Sequence, residues 1–296
     1  MKTGFVSIVG KANVGKSTLL NSIIGEKVSI VSYHPQTTRD KINGILTTDE
    51  GQIVFIDTPG MHQPRNSLSQ YMIKSINSAL EEVDVIIYVI ALDKKIQDDD
   101  LNKIRGYVSQ NIPVIVVLNK GDVVSVEKIP ASILKISEIE GIKAIIPVSA
   151  RTGKNVKELV NEVFKYLKDG DMFYPEDMYT DKNIRFMVAE LIREKTMQML
   201  KDELPYGIAV EIDQYRVKEN DVVEIYASIV CEKKAHKQII LGKSGEMIKH
   251  IGTAARYEIE KLTGQKVFLN LFVKVKEDWR KSDNLVKLLG YDEKEI

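Results

Sequence analysis

The chain has 296 residues, 44% of them hydrophobic and 28% charged, and its 42 basic side chains balance its 42 acidic ones. This composition fits a soluble globular protein of about two domains better than a disordered chain or a membrane protein. No run of about 18 apolar residues occurs, so a membrane-spanning helix is not expected. The first residues lead straight into an apolar run, so no signal peptide is expected. The single cysteine, Cys231, excludes an internal disulfide and predicts a buried structural thiol in a reducing cytosol.

The charge is unevenly distributed along the second half of the chain. Residues 171–232 carry 14 acidic against 7 basic side chains, whereas residues 233–287 carry 13 basic against 6 acidic ones. A basic block beside an acidic one indicates a face for a polyanion. The alternative is an ordinary solvated surface.

Strand-like and helix-like segments alternate from residue 1 to about residue 170. The apolar runs are 4–9, 42–47, 52–56, 83–90, 113–118 and 144–148. This alternation predicts an α/β fold with a mainly parallel sheet and helices on both faces; the phosphate-loop motif described next makes it a P-loop NTPase domain. Two of the runs, 83–90 and 113–118, are almost continuously apolar, which is typical of buried central strands. Ligands in such folds bind at the carboxyl ends of the strands.

Residues 10–17 read G-K-A-N-V-G-K-S, the phosphate-binding loop pattern. A strand precedes them and a helical pattern follows, which favours a true phosphate loop over a surface turn. We expect Lys16 to reach the outer phosphates and the Ser17 hydroxyl to ligate Mg²⁺. The residues of this segment predicted to contact the nucleotide are Lys11, Ala12, Asn13, Val14, Gly15, Lys16, Ser17 and Thr18.

The motif Asp57-Thr58-Pro59-Gly60 follows the run 52–56. An aspartate at this strand end can hold Mg²⁺ through water, and the Gly60 N–H can approach a γ-phosphate. Between the first two strands lies the polar loop 26–40, which contains P-Q-T-T-R-D. A γ-phosphate and Mg²⁺ can order such a loop, with Thr37 or Thr38 as a second hydroxyl ligand. A plain connecting loop is the alternative.

Two further motifs select the base. Asn119-Lys120-Gly121-Asp122 follows the run 113–118, and Asp122 can accept hydrogen bonds from the N1–H and the amine of guanine. Adenine lacks both donors, so this site predicts GTP rather than ATP. Ser149-Ala150 ends the run 144–148, and we expect a backbone N–H there to meet the guanine carbonyl.

These motifs in this order resemble the translation-factor-like GTPases, and Asn13 together with P-Q-T-T-R-D resembles the Era family of bacterial GTPases. The resemblance implies GTP and GDP as ligands and a GTP-hydrolysing enzyme. It assigns the second metal hydroxyl to Thr38, beside Ser17 and the water-mediated Asp57, and a catalytic role to Lys16, Thr38 and Gly60. It also implies a potassium ion beside the phosphates at Asn13.

One position departs from the Ras-like pattern. Ras-like enzymes orient the attacking water with a glutamine directly after D-x-x-G, and this chain has Met61 there. A thioether positions water poorly, so we expect slow turnover that depends on a partner or on monovalent cations. His62, the next residue, is a weaker candidate for a mechanistic role.

The chain is predicted to divide into a GTPase domain (1–170), a linker (171–181) and a second domain (182–296). Residues 154–168 should form the last helix of the first domain, and 183–203 the first helix of the second. Alternating segments 208–213 and 222–230 predict antiparallel strands, and 267–275 predicts a third strand. Trp279 is expected to anchor the last helix by packing; a base-stacking platform is the alternative.

The segment 239–249 reads I-I-L-G-K-S-G-E-M-I-K, a G-x-x-G loop between helical turns. With flanking strands it resembles a type II KH domain, whose loop clamps single-stranded nucleic acid; a simple helical hairpin is the alternative. The predicted RNA-binding residues are Ile240, Gly242, Lys243, Ser244, Gly245 and Lys249. The basic field around them comprises Lys233, Lys234, His236, Lys237, Lys249, Arg256, Lys274, Lys276, Arg280 and Lys281.

Both halves, from Gly4 to about Leu289, resemble the Era family. The resemblance implies that the RNA is the 3′ end of small-subunit ribosomal RNA and that the chain acts in assembly of the small ribosomal subunit. It implies a monomer in the cytoplasm, peripherally associated with the inner face of the cell membrane, and no DNA partner. Two alternatives are an RNA-binding scaffold with a structural nucleotide and a metabolic P-loop kinase, the latter opposed by N-K-G-D.

Overall fold

The computed structural model describes residues 1–61, 64–81 and 83–292, which form two units with a sheet each. The strands of the first unit are β1 (Lys2–Gly10), β2 (Ile42–Thr48), β3 (Gly51–Asp57), β4 (Val85–Ala91), β5 (Val114–Asn119), β6 (Ile142–Pro147) and β7 (Lys168–Asp169). Its helices are α1 (Lys16–Ile24), α2 (Ser67–Ser78), α3 (Asp98–Val108), α4 (Lys128–Ser137) and α5 (Val156–Phe164). The strand order is β2-β3-β1-β4-β5-β6, with the short β7 paired to β1.

The first sheet is parallel except at its margins. β1 runs parallel to β3 and β4, and β4, β5 and β6 continue in parallel, whereas β2 and β7 are antiparallel to their partners. Every residue of β4 and β5 is buried. Apolar residues of α1 and α5 cover one face of the sheet, and residues of α3 and α4 cover the other. The predicted α/β class and its central strands are confirmed.

The last helix of this unit is shorter than predicted. The pattern at 154–168 predicted one helix, but α5 ends at Phe164 and the chain turns to form β7 beside β1. Leu167 is only 3% exposed and belongs to the core of the sheet. Leu167 continues the helical spacing of Val160, Val163 and Phe164, which is why the pattern predicted a longer helix.

The segment 171–181 is docked along the first unit. The buried Gln52 side chain accepts from the N–H groups of Phe173 and Tyr174 (2.8 and 3.0 Å) and donates to the Tyr174 carbonyl (2.9 Å). The Phe173 ring lies 4.6 Å from the Phe5 ring. The N–H of Ile45 in β2 donates to the Tyr179 carbonyl at 3.0 Å. The last of these contacts pairs a backbone group of β2, the edge strand of the sheet, which would otherwise stay open.

The second unit is built on a three-stranded sheet. Its elements in chain order are α6 (Ile184–Met199), β8 (Ala209–Val217), β9 (Val223–Cys231), α7 (Lys234–Leu241), α8 (Glu246–Thr263), β10 (Val267–Val275) and α9 (Asp283–Leu288). β9 lies between β8, to which it is antiparallel, and β10, to which it is parallel. Apolar residues of α6, α7 and α8 pack on one face. This is the predicted type II KH arrangement, and it is confirmed.

Three further features differ from or agree with the sequence interpretation. α6 ends at Met199 rather than near residue 203, because Leu200 adopts an extended conformation and is buried in the core. Cys231 is buried, as predicted. Trp279 is fully buried and its indole N–H donates to the Gly207 carbonyl at 2.9 Å, so it is a packing anchor and not a stacking platform.

Within the described part of the chain, no helix combines the length and the apolar character needed to cross a membrane.

Candidate functional site

The phosphate-binding loop connects β1 to α1 in a tight curve. Asn13 and Gly15 have φ angles of 63° and 94°, in the left-handed region that favours glycine. A Cβ added at Gly15 would lie 2.3 Å from the Asn119 Nδ2 atom. α1 begins immediately after the loop, at Lys16, so its N-terminal N–H groups and dipole can receive an anion.

Lys16 is buried at the floor of this loop. Its ammonium group donates to the carbonyls of Gly10 (3.2 Å) and Lys11 (3.1 Å). Burial lowers the pKa of Lys16 to about 8, and the nearby Asp57 carboxylate opposes this shift. A phosphate is a stronger partner for a desolvated ammonium than two neutral carbonyls are. Lys16 therefore lies where a phosphate would be bound.

Three oxygen-bearing side chains meet beside the loop. The Ser17 Oγ atom donates to Asp57 Oδ2 at 2.7 Å and lies 2.8 Å from Thr38 Oγ1, which is itself 3.4 Å from Asp57 Oδ2. The Thr37 hydroxyl instead donates to the His34 carbonyl. Of the two candidate threonines, the structure brings Thr38 into the cluster. Ser29, which the sequence did not single out, also donates to Asp57 Oδ2, at 2.9 Å.

This oxygen cluster has the chemistry of a magnesium site. Mg²⁺ prefers hard oxygen ligands, commonly one or two protein groups together with water and substrate phosphates. The second carboxylate oxygen of Asp57 is buried and has no hydrogen-bond partner among the described residues. Burial raises the pKa of Asp57, although Lys16 and the hydroxyls of Ser17, Ser29 and Thr38 oppose the shift. A buried carboxylate oxygen without a partner is costly, so the residues present fit a hydrated cation.

Gly60 lies against the phosphate loop. A Cβ at this position would come within 2.8 Å of the Ala12 Cα atom, so only glycine allows the approach. The N–H of Met61 donates to the Gly10 carbonyl at 3.3 Å. Backbone contacts therefore tie this segment to the loop, while the Met61 thioether offers no group that orients water. His62 lies outside the described residues.

Asn119, in the N-K-G-D motif, connects the phosphate loop to the Ser149-Ala150 motif. Its amide nitrogen donates to the Val14 carbonyl at 2.9 Å, and its oxygen accepts from the Ala150 N–H at 3.0 Å. The Ser149 N–H donates to the Lys154 carbonyl at 3.1 Å. Both N–H groups predicted to meet the guanine carbonyl therefore have acceptors within the protein. Asn119 acts as a strut that fixes the position of the phosphate loop relative to the base site.

Asp122 is held ready to accept hydrogen bonds. The Ser149 hydroxyl donates to its Oδ1 atom at 2.7 Å, and the Arg151 Nε atom lies 3.2 Å from Oδ2. The Ser149 bond is the main reason why the pKa of Asp122 is below its usual range, with Arg151 and Lys120 acting in the same direction. A carboxylate that stays ionised is the acceptor that guanine requires. Ser149 thus supports Asp122 rather than the base.

The predicted nucleotide residues divide between lining and supporting positions. Those that line the phosphate-side or base-side cavity are Ala12, Asn13, Gly15, Lys16, Ser17, Thr18, Thr38, Gly60, Asn119, Lys120, Asp122 and Ala150. Val14 is buried beneath the loop. The side chain of Lys11 points away to Asp100, at 2.9 Å, so only its backbone can face the phosphates.

The base-side cavity of about 770 Å³ has a wall that sequence reasoning missed. Glu194, Lys195 and Gln198 line it together with the GTPase motifs. All three belong to α6, the first helix of the second unit. No motif marks these residues, and only the packing of the two units brings them to the nucleotide site.

The G-x-x-G loop of the second unit connects α7 to α8. Gly242 and Gly245 have φ angles of 73° and 81°, and Ser244 between them has a φ of 53°. Lys243, Ser244 and Lys249 are exposed. A groove of about 270 Å³ lies beside α8 and β10 and is lined by Ile248, Lys249, Gly252, Thr253, Arg256, Leu269, Asn270 and Leu271. An exposed glycine loop next to a partly apolar groove is suited to single-stranded RNA.

One predicted RNA-binding residue requires correction. Ile240 is fully buried in the core of the second unit, so its side chain supports α7 and cannot reach a bound nucleotide. The preceding residue, Ile239, is 52% exposed. In a helix, adjacent residues point in directions about 100° apart, and the sequence I-I-L alone could not decide which isoleucine faces outward.

Fewer basic side chains are available to bind RNA than the sequence predicts, because several are paired with acidic residues. Lys274 pairs with Asp213 at 2.7 Å, Lys276 with Glu211 at 2.6 Å, and Arg280 with Glu232 at 2.6 Å. The acidic block of residues 171–232 thus neutralises part of the basic block that follows it. Lys249 and Arg256 remain at the groove itself.

Comparisons with known proteins agree with this geometry. The family model described as a 50S ribosome-binding GTPase matches residues 5–120, and the KH domain model matches residues 203–280. The GTPase Era of Clostridium kluyveri is 48% identical over 291 residues, covering 98% of this chain and 99% of the relative. The GTPase Era of Ruminiclostridium cellulolyticum is 45% identical, over 98% of this chain and 97% of the relative.

Two solved structures superpose over nearly the whole chain, each with a TM-score of 0.94 and 39% identity and each covering 98% of this chain and 99% of its own. One is Era in complex with MgGDPNP and nucleotides 1506–1542 of 16S ribosomal RNA. The other is a single-residue variant of Aquifex aeolicus Era bound to GDP and AlF₄⁻. With this agreement over both units, the chain belongs to the Era family of GTPases.

Proposed function

We propose that the chain is a GTP-hydrolysing switch that captures the 3′ end of small-subunit ribosomal RNA during assembly of the small ribosomal subunit. Its family establishes GTP hydrolysis and ribosomal RNA binding. The RNA in the solved relative, nucleotides 1506–1542 of 16S ribosomal RNA, supports the 3′ end as target. The observation that carries the proposal is the presence of a complete GTPase site and a G-x-x-G groove in one chain, with α6 walling the nucleotide cavity.

The positions of the site residues support the following roles. Lys16 would bind the outer phosphates, Ser17 and Thr38 would offer hydroxyl ligands to Mg²⁺ with Asp57 acting through water, and Gly60 would bring its backbone close to the γ-phosphate. Asp122 accepts from the guanine, with Asn119 and Ser149 holding the surrounding loops. When bound, Mg²⁺ neutralises charge that develops on the phosphate oxygens.

Loop 26–40 and helix α2, which follows the Asp57–Gly60 motif in the chain, both contact the second unit. These contacts support coupling between the nucleotide state and RNA affinity. Leu68, Tyr71 and Met72 of α2 share a buried cluster with Trp279 and Tyr291, near the C-terminal end. Loop 26–40 contacts α6. Loss of the γ-phosphate releases such segments, and their release would change how the two units pack.

The test compares RNA binding in two nucleotide states. Full-length protein is titrated into a labelled oligoribonucleotide carrying the 3′-end sequence, with GDP or with a non-hydrolysable GTP analogue, and single-turnover hydrolysis is measured with and without the RNA. We expect different RNA affinities in the two states and faster hydrolysis with RNA; a scrambled RNA of equal length is the control. Equal affinities together with RNA-indifferent hydrolysis would favour the alternative, a scaffold with a structural nucleotide.

Potassium dependence is the second expected result. Asn13 lies at the mouth of the phosphate loop, where its side-chain amide donates to the Tyr33 carbonyl at 2.8 Å. Met61 cannot orient water as the glutamine of Ras-like enzymes does. A monovalent cation bound at Asn13 would instead supply positive charge beside the phosphates. We expect faster GTP turnover in potassium than in sodium chloride at equal ionic strength, and Asn13→Ala should remove the difference. Equal wild-type rates in the two salts would refute the potassium site.

The remaining expectations from the family resemblance stay predictions. They are the cytoplasmic location with peripheral membrane association, the monomeric state, the absence of a DNA partner, and the domain limits at residues 170 and 182. Residues 293–296 of the predicted second domain lie outside the described residues.

A further inference from the structure

Side chains of α6 form hydrogen bonds with the backbone of loop 26–40, which carries Thr38. Glu194 accepts from the Val31 N–H at 2.9 Å, and Gln198 donates to the Val31 carbonyl at 3.0 Å. Arg193 donates to the Thr37 carbonyl. Residues 194 and 198 are four apart and share one side of the helix, and residue 193 lies on the adjoining side. The KH unit therefore holds the loop at two places, one of them next to the metal ligand.

Arg193 is built to hold that second place. It is 1% exposed, and Glu190 accepts two bonds from its guanidinium, at 2.7 and 2.6 Å. This pairing fixes the orientation of the planar fork. The nitrogen that also reaches Thr37 addresses the carbonyl of the peptide linking Thr37 to Thr38. A donor fixed on this peptide restricts where the Thr38 side chain can lie.

The other flank of Thr38 is held by the same unit. Arg39 is 1% exposed and donates to the carbonyls of Ile208 (2.7 Å) and Tyr206 (3.0 Å) and to the Tyr291 hydroxyl (3.0 Å). Each of these acceptors lies in the second unit. Thr38 is thus bracketed by two buried arginine contacts while its hydroxyl lies 2.8 Å from Ser17 Oγ. The held conformation is the one that places Thr38 at the metal cluster.

We propose that Arg193, a residue of the KH unit, is a positioning residue for GTP hydrolysis. It acts through the Thr37 carbonyl to keep Thr38 beside Ser17, so that the metal ligand is in place before the chemical step. The GTPase unit then depends on the KH unit for a complete metal site. The inference rests on the proposed role of Thr38 as a metal ligand.

The test measures GTP turnover by full-length variants over a range of Mg²⁺ concentrations. Arg193→Met should lower kcat by about tenfold, because the Thr37 carbonyl loses the charge-assisted donor that keeps Thr38 in place, and should raise the Mg²⁺ concentration for half-maximal turnover. GDP affinity should change less than about threefold, since GDP lacks the phosphate that draws the loop inward. Arg193→Lys, which keeps one donor, should recover part of the rate.

Three further variants make the outcome decisive. Arg185→Met is the matched control, because Arg185 is an exposed arginine of the same helix, and it should behave as the wild type. Gln198→Ala removes an exposed side chain, so we expect it to fold normally, and it should raise the Mg²⁺ requirement by a smaller factor. If Arg193→Met and Gln198→Ala match Arg185→Met, the inference is overturned. If Thr38→Ala also retains normal turnover and Mg²⁺ dependence, Thr38 is not the metal ligand and the proposed role of that residue is refuted as well. If Thr38→Ala is defective and Arg193→Met is not, only the role of Arg193 is refuted.

Discussion

Asp122→Asn is expected to weaken GDP binding by about 10²–10⁴-fold and to create a preference for xanthosine diphosphate. The carboxylate accepts two hydrogen bonds from guanine, and bonds to a charged group contribute about 1.5–3 kcal/mol each. Asparagine keeps one acceptor for the N1–H but presents an amide donor to the guanine amine. Xanthine has a carbonyl at that carbon, so the same amide gains a partner. Equilibrium titration with fluorescent GDP and xanthosine diphosphate measures both effects.

The control for this exchange is Asp93→Asn. Asp93 lines the same cavity and pairs with Lys120 at 2.9 Å, so its loss removes a local negative charge without touching the base acceptors. It should change GDP affinity modestly and create no preference for xanthosine diphosphate. The Ser149 hydroxyl can still donate to an asparagine oxygen at position 122, so the loop should keep its shape. An Asp122→Asn protein that still prefers GDP over xanthosine diphosphate would show that the base is read elsewhere.

The parts of the site that local sequence could predict are those at strand ends. Ser17, Asp57 and Asn119 follow three strands of one mainly parallel sheet, and such ends meet at one edge. Roles that depend on a neighbour from another segment were missed. Ser149 was assigned to the base but supports Asp122, and Ser29 carries no motif although it donates to Asp57.

Contacts between the two units were beyond sequence reasoning for the same reason. Arg193 and Glu194 look like ordinary charged residues of an amphipathic helix, yet both are nearly fully buried against loop 26–40. The ends of two helices were also not predictable from the local sequence. α5 and α6 end before Leu167 and Leu200, which are still buried in the core, so the periodicity of buried residues continues beyond the helix and does not mark its end.

Gly242 is the position where the RNA site is most sensitive to a single methyl group. Its backbone has φ 73° and ψ 177°, a conformation that a residue with a side chain rarely adopts. A Cβ there would also lie 2.7 Å from the Met247 Cβ atom and 2.8 Å from the Met247 nitrogen. Met247 is in the first turn of α8, so an added methyl group would push the loop and the helix start apart. That start is the part of the KH fold that a nucleic-acid backbone approaches most closely.

Gly242→Ala should therefore reduce capture of the 3′-end oligoribonucleotide by at least about tenfold, given a backbone strain of about 1–3 kcal/mol at the loop, while GDP affinity stays unchanged. Gly264→Ala is the matched control: it has a φ of 68° at the other end of α8, and an added Cβ would meet no atom within 4 Å. Gly242→Ala should lose more thermal stability than Gly264→Ala, because both replace a glycine with positive φ but only the Cβ at position 242 also meets Met247. Loss of RNA capture in Gly242→Ala alone, with GDP affinity unchanged, would place the RNA at the loop, because Gly264→Ala strains the backbone of the same helix at the end away from the loop. Equal RNA capture by both variants and the wild type would instead move the RNA site away from the G-x-x-G loop.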